Sequence, residues 1–74
     1  MKYVIGDQTK IREDLIIGNQ YGEIIFADAM KSYIGEIVTI TQVNTNYYII
    51  GEDVYKSYWT DEMFEGEYYE EIRY

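Results

Sequence analysis

The chain has neither a cysteine nor a proline. Without cysteines, no disulfide or thiolate metal site can staple it, so packing alone must hold it together. Its 74 residues make one domain with a modest core, worth roughly 3–5 kcal/mol of net stability. Ten tyrosines suit such a core, because each buries a ring and leaves its hydroxyl at the rim. No proline, low-complexity linker or internal repeat marks a boundary, so residues 1–74 read as a single domain.

Glycine-marked turns divide the chain into short β segments. Lys2 to Ile5 is a short apolar start turned by Gly6-Asp7, and Thr9 to Arg12 resumes an alternating pattern. Residues 14–22 read as a loop. The clearest strand is Glu36 to Val43, rich in β-branched residues, with Val38 and Ile40 on one face and Ile37, Thr39, Thr41 and Val43 on the other. Asn44-Thr45-Asn46 turns it into Tyr47–Ile50, and Gly51-Glu52-Asp53 turns again into Val54–Trp59, a three-stranded meander.

Two segments change period. Phe26, Met30 and Tyr33 fall at i, i+4, i+7, the stripe of a short helix that Gly35 stops. Thr60 reads as an N-cap, with Asp61 and Glu62 in the first turn of a helix TDEMFE that ends at Gly66. Residues 68–74 then alternate as a final strand. The expected fold is mainly β: a small, strongly bent five-stranded barrel with two single-turn helices.

The charge is −8, from six basic and fourteen acidic residues. Such a surface is repelled by nucleic acid and by anionic membrane, and favours basic partners. Of that charge, −5 falls within residues 61–74, where Asp61, Glu62, Glu65, Glu67, Glu70 and Glu71 face Arg73 alone. The opening MKYVIGDQTK holds too short an apolar run for a signal peptide or a membrane span, and a cytoplasmic location is expected.

The order VIGDQTKIREDL, YG, FADAMKSYIGEIVTI, YYI and YWTDEMFE resembles a type of small protein encoded by phages and mobile elements of Gram-positive bacteria. That resemblance, spanning most of residues 3–65, implies an SH3-like barrel similar to the repeats of mind-bomb-type ubiquitin ligases. Those proteins are mostly of unknown function, so no site residue is carried across. Two departures matter. Thr9 stands where the pattern usually has an aliphatic residue, and the acidic stretch from Gly66 to Tyr74 extends beyond the shared part.

The chain lacks histidine as well as cysteine, which removes the commonest general base and the commonest thiol nucleophile, so no enzyme is expected. Asp61, Glu62 and Glu65 share a turn but match no calcium loop, so neither metal nor cofactor is expected. Trp59, Phe64, Phe26 and Met30 read as core. Tyr47, Tyr48, Tyr55 and Tyr58 fit either a peptide groove of the kind SH3-like surfaces use or, as tyrosines at strand spacing more often do, half-buried cross-strand pairs. The leading expectation is an acidic phage-encoded inhibitor. Asp61, Glu62, Glu65, Glu67, Tyr69, Glu70 and Glu71 would imitate a nucleic-acid backbone and occupy the basic groove of a host defence nuclease, as anti-CRISPR or anti-restriction proteins of the DNA-mimic type do. The alternative is a non-enzymatic adaptor barrel that binds a peptide or another phage protein. Both a monomer and a homodimer are compatible with the sequence.

Overall fold

A computed structural model describes residues 2–67. Six strands are present among these residues: β1 (Gln8–Ile11), β2 (Gln20–Tyr21), β3 (Ile24–Ile25), β4 (Ile37–Val43), β5 (Tyr48–Ile50) and β6 (Phe64–Glu67). Four of them form an antiparallel sheet in the order β5-β4-β1-β6, and β2 pairs with β3 as a separate hairpin. The fold is mainly β, as expected, but the sheets do not close into a barrel.

Alternation sets the faces of the large sheet. Val38 and Ile40 of β4 are fully buried, whereas Ile37 is exposed. On β1, Thr9 and Ile11 point inward between Gln8 and Lys10. Trp59, Phe26, Met30, Met63 and Phe64 fill the space over this face together with Tyr3 and Tyr48. The Trp59 ring meets Phe26, Tyr33 and Phe64 at centroid distances of 6.3, 6.0 and 6.4 Å. These are the separations at which aromatic pairs attract. The expected burial of Trp59, Phe64, Phe26 and Met30 is therefore met.

Thr9 is wholly enclosed. Its hydroxyl donates to the Gly66 carbonyl and lies 3.4 Å from the Tyr3 hydroxyl. The threonine hydroxyl thus ties β1 to β6 with a hydrogen bond. Beside it the β1–β6 register slips, and Gly66 takes the positive φ of 141° that this bulge requires.

Several sequence expectations change. Lys2–Ile5 is not a strand, because its backbone bends over the sheet and Lys2 and Tyr3 both donate to the Tyr48 hydroxyl. The loop expected over residues 14–22 contains β2, whose pairing extends outward to Gly18, Asn19 and Phe26. Val54–Trp59 is not a third meander strand. Asp53 turns inward and gathers the next residues into a coil, leaving one pair of ladder bonds between Trp59 and Tyr48, at 2.7 and 3.1 Å.

Both helices are 3₁₀, over Asp28–Tyr33 and Asp61–Met63. The second is shorter than TDEMFE, because Phe64 already belongs to β6. Thr60 precedes it without capping it: the hydroxyl donates to the Tyr21 carbonyl, at 2.9 Å, and so pins the β2–β3 hairpin. The final strand expected over residues 68–74 lies outside the described residues.

Candidate functional site

The segment that carries the acids anchors in the core through Met63 and Phe64 and runs along the sheet as β6. Its four acids within the described residues have different surroundings. Asp61 is half-buried, and its Oδ1 accepts the Tyr48 hydroxyl at 2.6 Å. That hydroxyl also accepts from the Lys2 and Tyr3 amides, at 2.8 and 3.0 Å. Burial, and then the bond to Asp61, push the Tyr48 phenol up to about 12. Asp61 is thus a fold acid, committed to a junction of three chain segments, and offers little to a partner.

Glu65 is exposed on β6, 3.6 Å from Lys10, which also binds Glu13 at 3.2 Å. The hydrogen bond and charge of Glu13, with the charge of Glu65, raise the Lys10 ammonium above its usual value. Glu67 is the last described residue, and its backbone pairs with Thr9. Tyr69, Glu70 and Glu71 lie outside the described residues.

Glu62 is exposed and makes no ion pair among the described residues. It stands beside Glu23 and Asp61 in a depression of about 180 Å³, floored by Gly22, Thr60, Thr45 and Asn46. A Cβ at Gly22 would come within 2.5 Å of a Glu62 carboxylate oxygen, so the hairpin turn lies directly under that side chain. Glu23 was not among the expected site residues. It follows a turn glycine like many surface glutamates, and the Thr60–Tyr21 bond, with Arg12 spanning the Glu62 carbonyl and the Tyr21 ring, brings its hairpin to the other acids.

Basic side chains near this end are already engaged. The Arg12 guanidinium binds Asp14 through two nitrogens at 2.9 and 2.8 Å, donates to the Glu62 carbonyl at 2.7 Å, and covers the Tyr21 ring. Its hydrogen bond holds the Asp14 carboxyl below the ordinary range. Lys31 pairs with Asp28 at 3.0 Å. Among the described residues no group of three or more acids converges closely enough to hold a metal ion, and no helix is long and apolar enough to cross a membrane.

The tyrosine groove needs correction. Tyr48 is fully buried and faces the core, so it lines no groove. Tyr47 and Tyr58 stack face to face, 3.7 Å apart and 17° from parallel, while Tyr55 stands exposed at the tip of its loop. Comparison of the chain with protein-family models, with curated proteins and with solved structures finds no match.

Proposed function

We propose that the chain is a non-catalytic acidic module that occupies a basic surface of a partner protein. One observation carries this reading. Arg12, Lys10 and Lys31 are neutralised within the molecule, while Glu62 and Glu23 line one depression and neither is in an ion pair among the described residues. The sequence continues with Glu67, Glu70 and Glu71, which add to the negative charge of the C-terminal segment.

The sequence resemblance to phage-encoded proteins gives the reading its finer form. The partner would be a nucleic-acid-binding host defence protein, plausible examples being CRISPR or restriction nucleases in the bacterial cytoplasm. Inhibition would work by occupation: carboxylates take the places of phosphates, and association is fast and salt-sensitive. The mimicry draws on Glu62, Glu23, Glu65 and the terminal acids, with Asp61 withdrawn from the contact set because it serves the fold.

The test is a tagged pull-down from nuclease-treated bacterial lysate, washed at low and at high salt. A nucleic-acid-binding protein that is released by salt and displaced by added oligonucleotide supports the reading. Reversal of Glu62, Glu70 and Glu71 to Lys should then abolish capture. A partner that survives the salt wash and ignores oligonucleotide would overturn it in favour of an adaptor.

A further inference from the structure

A second surface has the opposite character. Between the β2–β3 hairpin and the coil after Asp53 runs a trough of about 390 Å³, lined chiefly by Ile24, Ile25, Ala27, Met30 and Tyr58. Its volume falls within the range of ligand-binding clefts. Val54 and Tyr55, which precede the trough-lining Lys56 in the chain, are 76% and 78% exposed. Lys56 also lines it. Among the described cations, Lys10, Arg12 and Lys31 are in ion pairs and Lys2 lies over the Tyr3 ring, but Lys56 makes neither contact. Its backbone adopts φ 57°, the region that lysine seldom visits.

The rim holding Lys56 is built, not loose. Asp53 is fully buried, and its carboxylate accepts the Tyr55 amide at 3.0 Å, the Ser57 amide at 2.9 Å and the Trp59 indole N–H at 3.3 Å. The Tyr47 ring backs Tyr58 from the other side. A surface ordered in advance loses little freedom when it binds.

We propose that this trough docks an extended segment of a protein partner that sets an Asp or Glu between apolar residues. The apolar side chains lie along Ile24, Ile25, Met30 and Tyr58, and the carboxylate meets Lys56. Charge complementarity selects the occupant. A basic segment would bring its ammonium against Lys56, and a purely apolar one would cover that cation without replacing its water. A free chain terminus is normally caught by several backbone amides, whereas here the Tyr55 and Ser57 amides are taken by Asp53. This site is independent of the acidic face.

Selection from random twelve-residue segments, displayed with both ends fused to the display protein, tests the proposal. The expected result is enrichment of segments with an acidic residue flanked by apolar ones. Synthesised with capped ends, they should shift the amide resonances of Ile25, Ala27 and Ser57 in a saturable titration. Lys56→Glu should weaken binding at least tenfold and restore it for the same peptide carrying Lys at the acidic position. Ile25→Asp, at an exposed position, should abolish binding with the near-ultraviolet circular dichroism unchanged. Lys31→Glu and Glu62→Lys should leave it unaltered. The proposal fails if no segment is enriched, if basic or proline-rich segments are, or if Lys56→Glu binds the acidic peptide equally well. Self-association that Ile25→Asp removes would assign the trough to a second copy, and would also overturn it.

Discussion

Asp53 and Asp61 lie within eight residues of each other in two connecting segments, yet they do different work from Glu62 and Glu65. The first two have their carboxylates turned into the molecule. Asp53 collects two amides and an indole, and Asp61 takes the hydroxyl on which the N-terminal segment rests. The other two carry their charge in water or against Lys10. Acidity in this chain therefore has two uses, one to fix irregular backbone and one to present charge, and composition alone does not separate them.

The largest test of that contrast is Asp53→Ala. It strips the buried Trp59 indole and two part-buried amides of their acceptor and should cost about 3–5 kcal/mol, the scale of breaking a buried charged network. In a domain this small that approaches the whole stability, so loss of near-ultraviolet circular dichroism at 25 °C is expected. A variant that stays folded, with a urea midpoint close to the parent, would remove Asp53 from its role.

Tyr48→Phe should have the next largest effect, about 1–3 kcal/mol, because the Tyr3 amide loses its buried acceptor. It also changes the response to base. The phenol lies near 12 in the fold against 10.0 ordinarily, so its folded pKa is raised. Its contribution is complete below about pH 10 and is lost as the pH rises through 12. Urea titrations between pH 9 and 12 should show the parent losing of order 2 kcal/mol on this account, and Tyr48→Phe lacking that limb.

Asp61→Asn keeps an oxygen for the Tyr48 hydroxyl and should cost about 1 kcal/mol, seen as a lower urea midpoint with an unchanged slope. Glu62→Gln should move stability by no more than about 0.5 kcal/mol, as exposed substitutions do. If Glu62→Gln proved as costly as Asp61→Asn, the division between the two kinds of acid would collapse.

The regular parts of the molecule were legible in the sequence because their signal is local. Alternation along β4 put Val38 and Ile40 on a face of their own, the one the structure buries, and Trp59 and Phe64 were expected inside from the place the resemblance gave them. Two of the failures come from a polar side chain whose partners the sequence does not announce. Asp53 in Gly-Glu-Asp looks like an ordinary turn acid, and nothing nearby announces that Trp59 needs its carboxylate, so Val54–Trp59 read as a strand. Thr60 has the chemistry of a helix cap but spends its hydroxyl on Tyr21, 39 residues earlier. For the candidate site, Glu62 and Glu65 were readable as exposed acids. That Asp61 is committed to Tyr48, and that Glu23 joins them, depends on contacts no spacing encodes.

The Tyr48 hydroxyl also bears on the order in which the chain assembles. It joins residues 46 and 45 positions earlier to one 13 positions later, so it must wait until loops of very different length have closed. A junction of that kind belongs to the last steps of folding. Its removal should speed unfolding and leave the refolding rate nearly unchanged. The tyrosine that looked in the sequence like a docking residue would then act as the latch that sets how long the native state lasts.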